Sequence, residues 1–235
     1  MNFAVLTLFP EMVRNILMTG VTGRAIGDGI ISLDTVDIRN YSQNSYNSVD
    51  DYTYGGGAGM LMQCEPVYRA YEEASKRIGS DGARVIYMTP QGSTFDQRKA
   101  EEFAKEDALI FLCGHYEGVD ERVLEEIVTD NISIGDYVLT GGEIAAAAMI
   151  DSISRLIPGV LGNETSADTE SFNNGLLEYP QYTRPAVWHG RAVPEVLMSG
   201  DHNKVEQYRM RESAARTAAR RPDMYRKWLA DRGIY

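Results

Sequence analysis

The stretch SIGDYVLTGG at residues 133–142 decides the fold, read together with CGHYEG at 113–118 and MTPQG at 88–92. Each follows or overlaps a short apolar run, NISIG, ALIFLCG or ARVIYMT, that is typical of a buried strand bounded by turn residues. Helical patterns separate these runs, which predicts an α/β fold with a mostly parallel sheet. Open parallel sheets bind ligands outside the carboxyl ends of their strands, so the three glycine-bearing loops form a candidate cofactor site.

The loops lack the usual phosphate-binding motifs. None contains GxxxxGK[ST], and none contains GxGxxG between a strand and a helix. This weakens the interpretation of the chain as a phosphate-handling nucleotide enzyme. A single loop of this kind is more often an ordinary turn than a site, so the prediction depends on three loops sharing one sheet edge.

Length and composition limit the remaining possibilities. A chain of 235 residues can bury one large core, or a main domain with a smaller one. Its longest apolar stretch, near residues 144–150, is shorter than a membrane span, and no basic segment precedes the first apolar run, so we expect a cytoplasmic protein without a membrane segment. The two cysteines form no CxxC and the three histidines have no ligand spacing, which predicts neither a disulfide nor a structural metal.

The net charge of −11 argues against non-specific nucleic-acid binding, and we expect no DNA partner. One region differs: residues 204–227 carry eight basic and three acidic residues, a local +5, which leaves −16 for the remainder. Arg209, Arg216 and Arg220 are spaced to form a narrow stripe on a helix, which could follow the phosphates of RNA. The alternative is a solvated face with pairs such as Glu212 with Arg216.

The order of predicted elements divides the chain. We expect strands at 2–8 and 30–38, a helix from Pro10 that Gly20 can end, and a functional loop at about 40–59. Further helices are predicted at 65–78, 96–106, 120–128 and 142–156. The last helix is apolar enough on all sides to be buried, and another subunit is one surface against which it could pack. Residues 162–175 have the composition of a linker, so we predict domains at 1–161 and 176–235, the second small and helical, with helices capped by Asp201 and beginning near Pro222.

Six motifs in this order resemble one known family. They are FPEM (9–12), YGGGAGM (54–60), CGHYEGVDER (113–122), SIGDYVLTGGE (133–143), RLIPGVLG (155–162) and GLLEYPQYTRP (175–185). The chain is similar along both domains to the bacterial tRNA (guanine-N1)-methyltransferases, which modify guanosine 37, the nucleotide after the anticodon. The resemblance implies a SPOUT-class fold with a deep trefoil knot, which topology rules alone would not predict. It also implies S-adenosylmethionine as cofactor and a homodimer whose active sites are shared between subunits.

The resemblance also implies residue roles. Guanine N1 must lose a proton to a general base, and the negative charge that grows on O6 calls for a fixed cation. The family's arginine matches Arg155, and its acidic residue before Ser-Phe matches Glu170 in register. Family members most often have aspartate there, so Asp168, two residues earlier, is the alternative base. We favour Glu170 because a two-residue shift would also displace Phe172.

Cofactor and RNA contacts carry over in the same way. The cofactor-binding residues implied are Tyr87, Thr89, Pro90, Gly92, Gly114, Tyr116, Glu117, Gly118, Ile134, Gly135, Asp136, Tyr137, Val138, Leu139, Gly141 and Gly142. The RNA-binding residues implied are Tyr54, Gly55, Gly56, Gly57, Gly59, Arg184, Arg209, Arg216 and Arg220. A non-catalytic RNA-binding protein with an inactive pocket is the alternative function, and it would need neither Arg155 nor an acidic linker.

Overall fold

A computed structural model describes residues 1–79, 82–162, 171–172 and 174–234. The chain divides into two compact units, residues 1–162 and 163–235. Most of the predicted linker, 162–175, lies outside the described residues, and its role stays a prediction.

The first unit alternates strands and helices. Its strands are β1 (Asn2–Thr7), β2 (Ser32–Asp37), β3 (Asp50–Tyr52), β4 (Met60–Met62), β5 (Arg84–Thr94), β6 (Ala108–Cys113) and β7 (Asp130–Ser133). Its helices are α1 (Pro10–Leu17), α2 (Gly20–Gly27), α3 (Cys64–Ile78), α4 (Gln97–Phe103), α5 (Glu121–Ile127) and α6 (Glu143–Ser154). Five strands form one sheet in the order β2-β1-β6-β5-β7, and every pair is parallel, which confirms the predicted α/β class.

Both faces of this sheet are covered by helices. Along β1, Phe3 and Val5 face a core that includes side chains of α1, α4 and α6, whereas Ala4 and Leu6 face a second core with α3 and α5. This alternation follows from the two-residue period of a strand. The sequence ALIFLC of β6 is buried at every position because the strand lies in the middle of the sheet.

Strand β5 extends past its predicted end. Met88 and Ser93 both register with Ile132 of β7, so the residues between them bulge out of the ladder before the strand resumes at Ser93 and Thr94. The MTPQG stretch is therefore a bulge within a strand, not a terminal loop. At the other end of β5, Arg84 donates from Nε to Asp130 Oδ2 at 2.9 Å and fastens β5 to β7.

The segment that leaves β7 crosses the end of β5. β7 lies at the edge of the sheet, and β5 separates it from β6. Nevertheless the Gly142 amide, at the end of this segment, donates to the Gly114 carbonyl just after β6, at 3.1 Å. Residues 134–142 therefore pass over the end of β5 and bring the loops of three strands together.

Two predictions for the first 60 residues were wrong in detail. Gly20 does not end a helix but begins α2, because the chain turns between Met18, the C-cap of α1, and Gly20, whose φ is +66°. The predicted loop at 40–59 contains β3, which pairs antiparallel with β4 through Asp50 and Met62. A three-residue strand is too short to give a clear alternation in sequence.

The second unit contains a small hairpin and two helices. The hairpin pairs β8 (Val187–Trp188) with β9 (Arg191–Ala192), followed by α7 (His202–Arg220) and α8 (Pro222–Ala230). Asp201 caps α7 by accepting a hydrogen bond from the Lys204 amide at 3.1 Å, as the sequence predicts. Within this unit the Thr217 hydroxyl of α7 accepts from the Leu177 amide at 2.8 Å, which holds the preceding segment on the helix. Among the described helices, none has the length and apolarity needed to cross a membrane.

Candidate active site

A cavity of about 340 Å³ opens at the carboxyl ends of β5, β6 and β7. Its walls come from the β5 bulge, the loop after β6, and the segment 134–142 that crosses over to the start of α6. These are the three loops that the sequence predicts at one sheet edge. They converge because the strands run parallel and therefore all end on the same side.

Most of the predicted cofactor residues line this cavity. The exceptions are Gly92 and Asp136. Asp136 is exposed, whereas a Cβ on Gly92 would lie 2.3 Å from the amide nitrogen of Ile132, so Gly92 packs directly on the β7 backbone. The lining also includes residues that the sequence did not predict, namely Met88, Gln91, His115, Ile132, Ser133, Thr140 and Ala145. Five of these adjoin a predicted residue in the sequence, whereas Ile132 lies within β7 and Ala145 enters because α6 begins at the cavity wall.

The loops around the cavity approach one another too closely for side chains. A Cβ on Gly142 would be 2.8 Å from Cys113 Cα, and a Cβ on Gly114 would be 3.0 Å from the Tyr87 ring. In the same loop Tyr116 has a φ of +58°. A bulky residue rarely adopts this conformation, and the cases that exist cluster at functional sites. The cavity is therefore a closely fitted site at the meeting point of three loops.

The side chains beneath the cavity are neutral or hydrogen-bonded. Burial raises the pKa of the Tyr87 phenol, and it raises the pKa of the Cys113 thiol well above its ordinary value, with Glu143 adding to the effect. Glu143 itself is only 2% exposed and lies in the first turn of α6, where a helix N-terminus favours negative charge. The Thr7 hydroxyl donates to its Oε1 at 2.7 Å.

The predicted RNA loop is attached to the cavity wall. Tyr54, Gly55, Gly56, Gly57 and Gly59 are all exposed, and Tyr54 completely so. The loop ends against Glu117, a cavity residue, since a Cβ on Gly59 would lie 2.5 Å from Glu117 Cγ. The Glu117 amide also donates to the Met60 carbonyl at 3.0 Å, and the Met62 amide donates to the Gly118 carbonyl at 3.0 Å. These bonds fix the base of the loop to the CGHYEG segment.

Arg155 lies away from this cavity, at the other end of α6. It follows the helix as its C-cap and borders a second depression formed with α1 and α2. The exposed residues of α6, Ile144, Ala148 and Asp151, continue to Arg155 at spacings of four, three and four, so all four lie on one stripe. Large apolar side chains that are exposed beside this stripe, in the same depression, include Ile16 and Val21. Asp168 and Glu170 lie outside the described residues.

The arginines of α7 differ in exposure. Arg209 is half-buried, pairs with Glu206 at 2.8 Å, and lies over the Tyr179 ring at 4.8 Å. Arg216 is also half-buried, whereas Arg220 and Arg184 are exposed. The predicted stripe includes the position of Ser213, which is buried, so it is not a uniformly solvated face. Glu212 pairs with Arg211 at 3.4 Å.

Metal-binding chemistry has no visible basis in the described ranges. Within residues 1–79, 82–162, 171–172 and 174–234 no group of three or more His, Cys, Asp or Glu side chains could hold an ion. The cavity lining instead combines apolar side chains and aromatic rings with separate polar side chains such as Thr89, Gln91 and Glu117.

A parallel sheet covered on both faces, with a glycine-lined cavity at the carboxyl ends of three strands, is the arrangement of an α/β protein with a candidate ligand site. Residues 1–227 match the model of the family described as tRNA (Guanine-1)-methyltransferase TrmD. The chain belongs to this family.

Similar proteins carry the same description. A tRNA (guanine-N(1)-)-methyltransferase of Lachnospira eligens is 60% identical over 229 residues, which cover 97% of this chain and 97% of that protein. One of Ruminiclostridium cellulolyticum is 52% identical over 227 residues, with 97% of each chain covered. One of Latilactobacillus sakei is 50% identical over 240 residues, covering 98% of this chain and 97% of the relative.

Proposed function

We propose that this protein transfers a methyl group from S-adenosylmethionine to N1 of guanosine 37 in tRNA. The family match over residues 1–227 carries this proposal, since relatives at 50–60% identity along nearly their whole length are described as tRNA (guanine-N(1)-)-methyltransferases. The cavity gives a physical reason to expect a bound cofactor. The cytoplasm, where tRNA takes part in translation, is the compartment that we expect for this activity.

The residues of the cavity fit S-adenosylmethionine. Its volume of about 340 Å³ lies within the range of small-molecule sites, roughly 300–1,000 Å³. Main-chain groups of the crossing segment, such as those of Gly141, can meet the polar edges of an adenine ring, while Ile134 and Leu139 supply apolar contact. The bound cofactor would supply an electrophilic methyl group. S-adenosylmethionine carries no phosphate group, so a site for it needs no phosphate-binding motif.

The protein itself must manage the proton of guanine N1. We assign this role to Glu170, with Asp168 as the alternative, because a carboxylate within hydrogen-bond reach can take the proton as N1 becomes a nucleophile. Arg155 would stabilise the negative charge that grows on O6, and this interaction is stronger in the transition state than in the ground state.

The position of Arg155 favours an active site shared between two subunits. Gly142 at the cavity and Arg155 are separated by the length of α6, about 20 Å at the rise of an α-helix. An arginine at that distance cannot reach a guanine held beside the methyl group of its own subunit. A homodimer that covers the exposed apolar side chains around the α6 stripe would bring Arg155 of one subunit toward the cavity of the other.

The crossing segment supports the knotted fold that we infer. Residues 134–142 pass over the end of β5 to reach β6, as they would if the chain were threaded through the loops of the preceding strands. For the tRNA, we propose contacts from the loop that holds Tyr54 and from Arg184, Arg209, Arg216 and Arg220.

A methylation assay tests the activity. An unmodified tRNA transcript is incubated with enzyme and S-adenosylmethionine, and mass mapping locates the added methyl group. We expect one methyl group on guanosine 37 and none on a transcript with adenosine there. Tight tRNA binding without any methylation would instead support a non-catalytic RNA-binding protein.

Arg155→Ala tests the assigned cation. We expect turnover to fall about a hundredfold while S-adenosylmethionine affinity stays nearly unchanged. Arg98→Ala is the matched control, because Arg98 is exposed on α4, away from both depressions. An equal loss of turnover and cofactor affinity would make Arg155 a structural residue.

Subunit mixing tests the shared site. Leu139→Trp should fill the cavity and abolish cofactor binding, and Arg155→Ala should remove the cation. If Arg155 serves the partner's cavity, mixed dimers contain one intact site, and equal mixing restores about a quarter of wild-type activity. If Arg155 serves its own cavity, the mixture stays inactive.

Paired substitutions identify the base. Glu170→Gln should nearly abolish single-turnover methylation at neutral pH, whereas Asp168→Asn should be mild and neither should change cofactor affinity. Loss in Asp168→Asn alone would move the assignment to Asp168.

A further inference from the structure

An exposed, acid-free segment stands out in the second unit. Residues 181–192 are all exposed, including Tyr182, Val187 and Trp188, and Trp188 is 61% exposed. The wider segment 179–194 contains two arginines and a histidine but no Asp or Glu, in a chain of net charge −11. Large aromatic side chains are usually buried, so an exposed tryptophan among basic residues indicates a binding surface.

The hairpin geometry places the tryptophan beside a cation. Trp188 and Arg191 are directly opposite in the β8–β9 register, so their side chains leave the same face of the hairpin. His189 and Gly190 both have positive φ, +49° and +75°, which makes the tight two-residue turn that holds this register. The His189 ring meets the Trp188 ring edge-on at 4.4 Å and limits its rotation.

This pairing matches the chemistry of unpaired RNA. An aromatic face stacks on a nucleobase of any sequence, and an adjacent cation meets the phosphate. Arg184 and Arg191 can attract a polyanion and donate hydrogen bonds to it, and no carboxylate between residues 179 and 194 would repel the polyanion. The hairpin lies in the same unit as the basic helix α7.

We propose that the β8–β9 hairpin is a binding site for single-stranded RNA, with one unpaired nucleobase of the tRNA stacked on Trp188 and the neighbouring phosphate held by Arg191. The proposal rests on the tRNA substrate proposed above. It adds a stacking contact to the electrostatic ones, so part of the tRNA affinity should persist at high salt.

Fluorescence of a single tryptophan tests the contact directly. The chain has two tryptophans, so Trp228→Phe in the full-length protein leaves Trp188 as the only reporter. Unmodified tRNA transcript is titrated in while emission and the dissociation constant are measured. We expect emission from Trp188 to be quenched with the same saturation as binding. Unchanged emission at saturating tRNA would overturn the proposal.

Substitutions separate stacking from charge. Trp188→Ala should weaken tRNA binding about five- to a hundredfold with an unchanged salt slope, and Trp188→Phe should restore most of the loss. Arg191→Ala should lower the slope of log affinity against log salt by about one. Met198→Ala is the control, because Met198 is similarly exposed in the same unit, and it should leave the affinity unchanged.

Two results would contradict the hairpin site while leaving the methyltransferase intact. One is wild-type tRNA affinity in Trp188→Ala. The other is a weaker dimer in Trp188→Ala, measured by sedimentation, with tRNA affinity restored at high protein concentration; this would make the hairpin a protein interface. Failure of the wild-type protein to bind or methylate tRNA would instead refute the proposed function.

Discussion

Gly92→Ala distinguishes a structural glycine from a cofactor contact. A Cβ at this position would lie 2.3 Å from Ile132 N, 2.4 Å from Asn131 C and 2.5 Å from Asn131 O. All three are backbone atoms of β7 and cannot rotate away. Relief requires β5 and β7 to separate by about 1 Å to reach ordinary van der Waals contact, which disturbs the ladder that forms one side of the cavity.

The expected cost is about 2–3 kcal/mol, the upper part of the usual range for overpacking in a core. For a protein of this size such a loss lowers the melting temperature by roughly 5–10 °C. Gly27→Ala is the matched control: a Cβ there meets nothing within 4 Å, and alanine is the better helix former, so its melting temperature should not fall.

Thermal unfolding and calorimetric titration with S-adenosylhomocysteine, an unreactive analogue, measure both quantities. We expect Gly92→Ala to lose stability first and cofactor affinity only as a consequence of the shifted strand. A variant with the melting temperature of wild type that no longer binds the analogue would refute this reasoning, and would restore Gly92 as a direct cofactor contact.

Three further predictions concern contacts at the site and in the sheet. Gly59→Ala should displace the Glu117 side chain and lower methyl transfer about tenfold or more, and because the φ of +93° strains any side chain the melting temperature should fall as well; unchanged transfer would contradict this. Thr7→Val should leave the buried Glu143 carboxylate without its hydroxyl donor and lower the free energy of unfolding in urea by about 1.5–3 kcal/mol; an unchanged midpoint would mean that another group takes over. Burial would raise the Asp130 pKa, but hydrogen bonds from its arginine and threonine partners lower it overall from 3.8. The stabilisation that this shift represents is present above pH 3.8 and is lost as the pH falls through the lower folded-state pKa. Asp130→Asn should therefore flatten the acid side of the plot of stability against pH. A variant profile that runs parallel to the wild-type profile would argue against the ion pair.

Sequence reasoning predicts the elements well where periodicity is long. The helices Cys64–Ile78 and Glu143–Ser154 lie within two residues of their predicted bounds, and His202–Arg220 begins after its predicted cap Asp201, because each has clear start or stop residues. It fails where elements are short. The strands β3, β4, β8 and β9 have two or three residues each, and such lengths do not produce a recognisable alternation.

The glycine loops also show what the sequence predicts about the site and what it does not. Their sequences predict three strand-end loops, but they do not separate Gly92, which packs on a neighbouring strand, from Gly114 and Gly142, which line the cavity. Which backbone lies opposite a glycine depends on the strand order, and strand order is not encoded in local spacing.

By itself the sequence determined the α/β class, the parallel strands and the family resemblance, because hydrophobic period, turn residues and ordered motifs are properties of local sequence. The tertiary structure alone decided that residues 134–142 cross β5 to close the cavity, that Gly59 presses on Glu117, and that α6 separates Arg155 from the cavity. Trp188 likewise became a candidate contact only when the hairpin set it opposite Arg191 on an exposed face. These relations join residues far apart in the chain, and they are fixed by the packing of the whole sheet and its connections.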